Sequence, residues 1–431
     1  MEPAHRPGNL LSMVQKLAGG RLRCFAVVAI AVGALPVLGG VASAARFAHA
    51  SVPASIVGPA RRGLPTPCGG YGSPAPSSLP QFVSAIDFAN RDVGWAVGNQ
   101  IWATRNGGRT WQAQMGAGAN LTALDVLSPD RAWAFSVQPP SMYSTADGGR
   151  HWSQLPEPPE QIDSVQFVSP MSGYAVAGGT PIGPANMPQC GGILLATSNG
   201  GRSWHQRPSP PNVQSACFPD RSHGWLSAAS GQHADIYASS DSGRSWVLAL
   251  PAPLGRRVPD DAQTGAALAQ LQCAQGAVWA VYTGFGAAMS HVPWFAYHGS
   301  ADGWQPVFSE GYTEVGLSAK FAYTAPAGYP GPFSALSATS AVFLGDNVAS
   351  SPVSTVIDLA TASGRQLRRA GVDSDVTDVT GVAFTSSADG WISGEHVSAS
   401  CANQTGPSCP WVIDRTVDGG ARWRRVFSYT P

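Results

Sequence analysis

The acidic side chains are the first candidate catalytic residues of this sequence. Two carboxylates facing each other across a cleft hydrolyse glycosidic bonds, one as general acid and the other as base or nucleophile. The candidates are Asp87, Asp125, Asp163, Asp260, Asp261, Glu310, Glu314, Asp358 and Glu395. Their spacing pairs none of them, and a candidate acid needs a partner within reach. We therefore expect most of them to be solvated loop charges.

Histidines and cysteines, the usual metal ligands and nucleophiles, show no arrangement of that kind. The nine histidines are isolated, without a His-x-Glu-x-x-His pair or a similar ligand spacing. The seven cysteines include no Cys-x-x-Cys pair and no Cys/His spacing typical of zinc sites. The Gly-rich tracts lack the lysine of a phosphate-binding loop. The sequence therefore predicts no metal and no cofactor.

The composition excludes some partners and favours a turn-rich fold. Lysine plus arginine and aspartate plus glutamate number 26 each, so no net field attracts nucleic acid or an anionic membrane. Only 12% of the 431 residues are charged, while 50 are glycine and 36 are proline. Hydrophobic residues still make up 44%, with 14 tryptophans, which supplies enough apolar surface for a folded core.

The first 80 residues predict export. Basic residues (Lys16, Arg21 and Arg23) precede an apolar run over residues 24–41 and the small residues 42–44. This pattern is typical of a secretory signal peptide, although the run is nearly long enough for an uncleaved membrane anchor. Residues 1–45 are thus predicted as a signal peptide or signal anchor with an apolar helix, and residues 46–80 as a tether rich in Pro, Gly, Ser and Ala. We expect the rest to be extracytoplasmic, either secreted or held at the membrane only by residues 24–41.

Two series of residues recur in step over the rest of the chain. One is a turn motif, Thr/Ser-x-Asp/Asn-x-Gly-x-x-Trp, with five good copies and two degraded ones, which begin at Thr104, Thr145, Thr197, Ser239, Ser300, Thr361 and Thr416. The other is an aromatic residue that opens an apolar strand upstream of each copy: Trp95, Trp133, Tyr174, Trp225, Trp279, Phe343 and Trp391. Alternating apolar residues predict strands, and the Asn, Asp, Ser and Gly clusters predict tight turns. Both series count seven units.

Each unit is predicted to contain four antiparallel strands, with the turn motif as the hairpin between the third and the fourth. Four-stranded units at this spacing are propeller blades, and because no blade buries both faces alone, they must close into a ring. The sequence thus predicts an all-β, seven-bladed β-propeller over residues 81–431. The structural residues of its hairpins are Asn106, Trp111, Asp147, Trp152, Asn199, Trp204, Asp241, Trp246, Asp302, Trp304, Asp418 and Trp423. The polar side chain bonds backbone N–H groups across the turn, and the indole covers it.

This motif resembles the Asp-box, or BNR, repeat, whose pattern is Ser/Thr-x-Asp-x-Gly-x-x-Trp. The fuller units, with Val93 to Val97 before Asn106 to Trp111, are similar to YCF48-type propellers related to photosystem II assembly factors. The resemblance covers about residue 81 to the end, includes the sialidase-superfamily fold, and implies a non-enzymatic scaffold that grips another protein. It gives no reason to assign photosynthesis, because a fold does not fix a function.

Asp-box repeats also occur in sialidases and other glycoside hydrolases, which makes an enzyme the alternative. A sialidase-like site would need three arginines, a tyrosine with a glutamate, and an aspartate acid. The Phe/Tyr-Arg-Ile-Pro opening of such enzymes is absent near the first blade, where residues 79–82 read Leu-Pro-Gln-Phe. The hairpin arginines (Arg109, Arg150, Arg202 and Arg244) repeat on every good blade but the last, so they cannot converge on one pocket. Asp87 and Asp125, which close the first strands of blades 1 and 2 near the channel, are predicted to be structural.

Blades 5 and 6 depart most from the pattern, and three insertions interrupt them, at residues 251–269, 284–293 and 310–332. The third carries Tyr312, Phe321, Tyr323 and Tyr329 among Gly and Pro. Aromatic residues in a loop form hot spots for a protein or glycan partner, which predicts a partner surface here. The alternative is that they only cover the degraded blades. A purely structural surface protein without a specific site is a third possibility.

The cysteines outside the apolar run predict disulfides, because exported proteins meet an oxidising compartment. Cys401 and Cys409 lie in one loop of blade 7 and can pair locally. Cys217 and Cys273 occupy similar first-strand positions in blades 4 and 5, which permits a bridge between blades. Cys68 and Cys190 remain by elimination, and other connectivities stay open.

Overall fold

The computed structural model describes residues 83–430 with gaps at 116–119, 138–139, 179–191, 231–232, 254–267, 284–293, 301–302, 310–319, 327, 347–353 and 397–409. The predicted signal peptide or anchor and the tether lie outside these residues. Within the described part of the chain, no helix is long and apolar enough to cross a membrane.

The described residues form 28 strands in seven four-stranded antiparallel sheets. Blade 1 consists of β1 (Val83–Phe88), β2 (Gly94–Gly98), β3 (Ile101–Thr104) and β4 (Gln112–Met115). Blade 2 consists of β5 (Leu121–Ser128), β6 (Arg131–Val137), β7 (Pro140–Thr145) and β8 (Ser153–Leu155). Blade 3 consists of β9 (Ile162–Phe167), β10 (Gly173–Ala177), β11 (Ile193–Thr197) and β12 (His205–Gln206).

The remaining four blades follow the same order. Blade 4 consists of β13 (Val213–Cys217), β14 (Gly224–Ser230), β15 (His233–Ser239) and β16 (Val247–Leu250). Blade 5 consists of β17 (Leu268–Ala274), β18 (Ala277–Thr283), β19 (Trp294–Ser300) and β20 (Gly303–Ser309). Blade 6 consists of β21 (Tyr329–Ser337), β22 (Ser340–Asp346), β23 (Thr355–Thr361) and β24 (Gln366–Asp373). Blade 7 consists of β25 (Val376–Phe384), β26 (Gly390–His396), β27 (Trp411–Thr416) and β28 (Arg424–Tyr429).

This architecture confirms the prediction of an all-β, seven-bladed propeller. The first strands of neighbouring blades pack together around the centre, except that blades 3 and 4 meet mainly through β10 and β13. The first strand of blade 7, β25, packs against β1 and closes the ring. Blade 1 and blade 7 are each built from four consecutive strands, so no strand is shared between them. Closure of the ring therefore depends on side-chain contacts between these two blades.

Aromatic stacking joins several neighbouring blades. The second-strand aromatic residue stacks on the phenylalanine that ends the first strand of the next blade, as in Trp133 on Phe167 with ring centroids 3.6 Å apart. The same stack closes the ring, where Trp391 lies 3.7 Å from Phe88. The glycine before the aromatic residue is needed because a Cβ on Gly94 would come within 2.3 Å of the Phe88 ring. Such stacking adds about 1 kcal/mol to the burial of each pair.

The ring has two unlike faces, because each blade is a meander whose connections alternate between its two ends. Connections after the first and third strands emerge on one face, here called the turn face, and those after the second and fourth strands emerge on the other, the loop face. No connection between strands on the turn face is longer than the hairpin at 105–111. The connections 178–192, 251–267 and 310–328 join strand ends that lie on the loop face. The three insertions predicted in blades 5 and 6 all begin on the loop face.

Candidate functional site

The hairpins of the turn face are stabilised by one set of polar contacts. In blade 1 the Thr104 hydroxyl accepts a hydrogen bond from Gly108 N at 2.7 Å and donates one to Asn106 Oδ1 at 3.1 Å. The same Oδ1 accepts the N–H of Thr110 at 2.9 Å. Equivalent bonds recur in blades 2, 3, 4 and 7, around Asp147, Asn199, Asp241 and Asp418. The polar residue of the motif is therefore occupied within its own turn.

In blades 1, 3, 4 and 7 the hairpin tryptophan contacts the phenylalanine at the end of the first strand of the same blade. Trp111 meets Phe88 edge to face with centroids 6.1 Å apart. The same contact joins Trp204 to Phe167, Trp246 to Phe218 and Trp423 to Phe384, at 6.0–6.2 Å. In blade 2, Trp152 Nε1 instead donates to Gln114 Oε1 of blade 1 at 3.0 Å. Trp304 packs partly buried against the core of blades 4 and 5, and Asp302 lies outside the described residues.

The hairpin carboxylates are held in their ionised form. Burial tends to raise the pKa of Asp241, but hydrogen bonds from the hydroxyl and the N–H of Ser245 outweigh it and lower the pKa to about 2. The N–H and then the ring of His151 hold the pKa of Asp147 well below its usual range. The hairpin arginines are exposed and distributed around the rim. These groups form turns, and they do not assemble a catalytic site.

A cavity of about 450 Å³ lies at the centre, lined by residues of the first strand of every blade. One position of these strands, opposite the second-strand aromatic residue, faces the next blade. It is occupied by Asp87, Asp125, Gln166, Cys217 and Gln272 in blades 1 to 5. We call these five residues the latch ring.

Each residue of the latch ring bonds the first strand of the following blade. Asp87 Oδ2 accepts the N–H of Val126 at 2.9 Å, and Asp125 Oδ2 accepts that of Phe167 at 2.8 Å. Gln166 and Gln272 accept the N–H groups of Phe218 and Ala335, at 2.8 and 2.9 Å.

In blade 4 a covalent bond replaces this hydrogen bond. The Sγ atoms of Cys217 and Cys273 are 1.97 Å apart and their Cα atoms 5.6 Å apart, so the disulfide lies at the same latch position. The bridge between blades 4 and 5 stands where the sequence predicted one. Cys68, Cys190, Cys401 and Cys409 lie outside the described residues.

The ring closes differently at its last seam. The Thr380 hydroxyl donates to Val83 O at 2.7 Å. The buried Arg415 donates to Gly107 O at 2.9 Å and to Asp389 at 3.2 Å, with its guanidinium 4.9 Å from the Trp391 ring. Polar groups thus join blade 7 to blade 1 where no strand is shared.

The pKa values of the two latch-ring carboxyl groups are raised, whereas those of the hairpin carboxyl groups are lowered. Burial raises the pKa of Asp87 to about 6, although the N–H groups of Phe88 and Val126 oppose it. Burial also raises the pKa of Asp125 well above its usual value, and the charge of Asp87 adds to that effect. The residues that line the cavity include no lysine, arginine or histidine to offset them. Both carboxyl groups therefore keep their protons to a higher pH than an ordinary aspartate, while one oxygen of each is engaged by the next blade.

The other acidic candidates do not join this pair. Asp358 forms an ion pair with Arg369, and Asp163 and Glu395 do not line the cavity. Asp260, Asp261, Glu310 and Glu314 lie outside the described residues. Across the described strands and turns, no group of three or more His, Cys, Asp or Glu side chains is placed to hold a metal ion.

The described part of the aromatic insertion packs against both faces of blade 5, with Phe321 on the side of blade 4 and Tyr323 on the side of blade 6. Phe321 lies against Phe295 and Tyr297, with centroids 5.9 and 5.6 Å away. Tyr323 O accepts the N–H of Ser309 at 3.1 Å, and its hydroxyl donates to Arg365 O at 2.9 Å. Tyr329 belongs to β21 and is half-buried, and Tyr312 lies outside the described residues. These contacts favour the alternative that the insertion covers the degraded blades.

The sequence analysis named Asp87, Asp125 and Cys217, but it missed that they share one position with Gln166 and Gln272 and that this position joins neighbouring blades. Its residue types differ from blade to blade, so no pattern of letters repeats there. The available signal was positional, since each member of blades 1, 3 and 4 directly precedes a phenylalanine: Phe88, Phe167 and Phe218.

Comparisons with known proteins support the β-propeller fold. No protein-family model matches the sequence, and no curated protein matches it significantly. Solved structures with a similar fold include YCF48 bound to a D1 peptide, which is 15% identical with a TM-score of 0.47 over 72% of this chain and 90% of that one. The N-terminal domain of Nup159 is 12% identical, with a TM-score of 0.45 over 79% and 90% of the two chains. The GH74 enzyme of Niastella koreensis is 12% identical, with a TM-score of 0.32 over 78% and 75%. At these levels of identity the likeness is one of fold alone.

Proposed function

We propose that this chain is an exported, non-enzymatic propeller that binds another protein through its loop face. The observation that carries the proposal is the unequal distribution of connections between the two faces. On the turn face, the polar groups of five hairpins bond within their own turns. The long connections, such as 178–192 and 251–267, all begin on the loop face. Variable loops on a rigid scaffold are where binding sites concentrate.

The rigidity of the ring supports a scaffold. The latch ring and the aromatic stacks tie the blades together, so the strand ends that open onto the loop face keep fixed positions relative to one another. A scaffold that fixes the attachment points of its binding loops lowers the loss of conformational entropy on binding. Extracytoplasmic placement rests on the basic and apolar pattern of residues 16–44. The Asp-box and YCF48-type resemblance of the hairpins is consistent with a protein-binding role.

The test compares loop-face and turn-face variants. In one variant, residues 284–293 are replaced by a two-residue turn, as blade 1 joins its second and third strands with only residues 99–100. The turn-face control is Arg109→Ser with Arg202→Ser, which removes two exposed charges. Cross-linking in the native envelope identifies the partner, and its recovery with each variant is then measured. We expect the shortened loop to reduce recovery at unchanged melting temperature, while the control retains it. The other long loop-face connections are shortened in the same way. If all of these variants recover as much partner as the wild type, the proposal is refuted.

Hydrolysis of glycans is the second candidate, favoured by the carboxylate pair of Asp87 and Asp125. A raised pKa near neutrality is what a general acid requires. The bonds from Val126 and Phe167 argue for a structural role, because they fix one oxygen of each carboxylate. Release of reducing sugar from cell-envelope glycans, abolished by both Asp87→Asn and Asp125→Asn, would establish the enzyme and displace the scaffold.

A further inference from the structure

The exposed arginines of the ring lie mainly on the turn face. In six of the seven blades, an exposed arginine follows the last glycine of the hairpin between the third and fourth strands by one or two positions. We call this set the arginine rim: Arg109, Arg150, Arg202, Arg244, Arg365 and Arg422. Three more exposed arginines, Arg91, Arg105 and Arg221, lie in connections of the same face. The turn face therefore presents guanidinium groups around the whole ring except at blade 5.

Several carboxylates of the turn face are engaged within the turns, whereas the arginines of the rim are not neutralised. Asp147 contacts the N–H and the ring of His151, at 3.0 and 2.6 Å. Asp389 forms an ion pair with the buried Arg415 at 3.2 Å. Among the described residues, no ion pair joins the arginine rim to a carboxylate. In the described turn-face connections, exposed arginines outnumber exposed carboxylates by nine to four.

The loop-face ends of the blades carry the opposite charge. Glu157, Asp163, Asp375 and Asp378 are exposed there, against one exposed lysine, Lys320, in the described connections of that face. The equal totals of 26 basic and 26 acidic residues cancel only as a sum over the whole chain, so the sequence analysis found no net field. An anionic surface that attracts the arginine rim repels the loop face, and this difference fixes which face the ring presents to it.

We propose that the turn face docks on an anionic phospholipid surface through the arginine rim. Guanidinium groups spread over six blades on one side of a ring match a plane of headgroups, and they do not converge on one small ligand. Arginine is suited to this contact because its planar fork donates two hydrogen bonds to one phosphate. Docking in this way turns the loop face, with its long connections, away from the lipid. The inference goes beyond the proposed function and does not depend on it.

The predicted export of the chain brings the propeller to such a surface. An apolar segment at residues 24–41 and a tether at residues 46–80 precede the first blade. The chain enters β1 from the loop face, so the tether has to pass around the ring when the turn face is docked. A tether of this length spans up to about 120 Å when extended, which is enough for that path.

The experiment measures sedimentation of the full-length chain with vesicles of two compositions. One contains phosphatidylglycerol and phosphatidylcholine in equal parts, and the other contains phosphatidylcholine alone. The neutral vesicles report whatever the apolar segment at residues 24–41 contributes, so the excess binding to anionic vesicles measures the charge-dependent part. We expect such an excess at low salt and its loss at high salt, because the exposed charges are screened. Equal binding to both compositions at low salt overturns the inference.

Matched variants decide whether the arginine rim makes the contact. Arg150→Gln with Arg244→Gln removes two charges of the rim, while Lys320→Gln with Arg368→Gln removes two exposed charges outside the turn face. Each basic residue held near an anionic lipid surface contributes about a factor of five in binding. The first pair should therefore weaken the excess binding about 5- to 30-fold, and the second less than about twofold. Equal weakening by both pairs would show a dependence on net charge alone and would refute docking through the rim.

Labelling with an arginine-selective dicarbonyl reagent, read by mass spectrometry, tests the orientation of the bound ring. Anionic vesicles should protect the arginine rim and leave Arg368, on the outer strand β24, as reactive as in solution. Equal protection of Arg368 and the rim would contradict the proposed orientation. Protection of the rim by soluble polyglutamate but not by vesicles would assign the face to an anionic polymer and overturn docking on lipid. Either result leaves the loop-face proposal standing, because the shortened loops test that proposal separately.

Discussion

The aspartates of the hairpins and those of the latch ring occupy repeated positions of the same blades, yet their environments are opposite. Asp241 lies at the edge of the ring, where its turn supplies several hydrogen bonds and lowers its pKa to about 2. Asp87 lies at the channel, where burial raises its pKa to about 6. The hairpin position stabilises a turn within one blade, and the channel position joins two blades. Repetition alone therefore does not tell which repeated residue holds the ring together.

The largest effect expected from this comparison comes from removing the disulfide between Cys217 and Cys273. Cys217→Ser with Cys273→Ser should lower the free energy of unfolding by about 3–4 kcal/mol, because the bridge closes a loop with a sequence separation of 56. Urea unfolding of the wild type under non-reducing conditions gives the reference. The wild type with added reductant should approach the double variant. An unchanged midpoint would mean that the join between blades 4 and 5 does not depend on the latch position.

The next test acts on the hairpin side of the comparison. Thr104→Val removes the hydroxyl that accepts Gly108 N and donates to Asn106, leaving a buried N–H unpaired. The expected loss is about 2 kcal/mol, whereas Thr110→Val at the exposed end of the same turn should cost less than about 1 kcal/mol. Hydrogen exchange should show faster exchange at Gly108 in the first variant only. Similar losses in both would contradict the assignment of the hydroxyl as the centre of the turn.

These two regions also differ in what the sequence predicts about them. The hairpins are predictable because a tight turn accepts few residue types, so Thr104, Asn106 and Trp111 recur with fixed spacing. The latch ring is not, because any side chain that bonds the next strand will serve, and Asp, Gln and Cys all do. The bridge of Cys217 was predictable from its first-strand position.

A third test uses pH to separate the two kinds of carboxylate. The folded pKa of Asp87, about 6, exceeds the unfolded value of about 4, so the folded state keeps the proton longer. Stability is therefore lost as pH rises from about 4 to about 6. Asp87→Asn should be more stable than the wild type by about 1–2 kcal/mol at pH 8, with a difference that vanishes near pH 4. Its amide oxygen can still accept the Val126 N–H.

Thermal unfolding across pH 4–8 checks this expectation, with Asp92→Asn, an exposed turn-face carboxylate, as the control. A destabilised Asp87→Asn at pH 8 would mean that the charge itself is needed for the latch. It would also favour a chemical role for the ionised pair.

The smallest expected effect is at the hairpin carboxylate Asp241. Its folded pKa lies below the unfolded value, so its contribution is present above about pH 4 and is lost as pH falls through about 2. Asp241→Asn should still change stability little at neutral pH, because blades 1 and 3 already use Asn106 and Asn199 at this position with the same bond to the following N–H. Acid titration of unfolding should show a slightly shallower loss for the variant below pH 4. A large loss of stability at pH 7 would show that the negative charge, and not the acceptor oxygen, stabilises the turn. The hairpin and channel aspartates would then differ only in whether their charge stabilises or destabilises the fold.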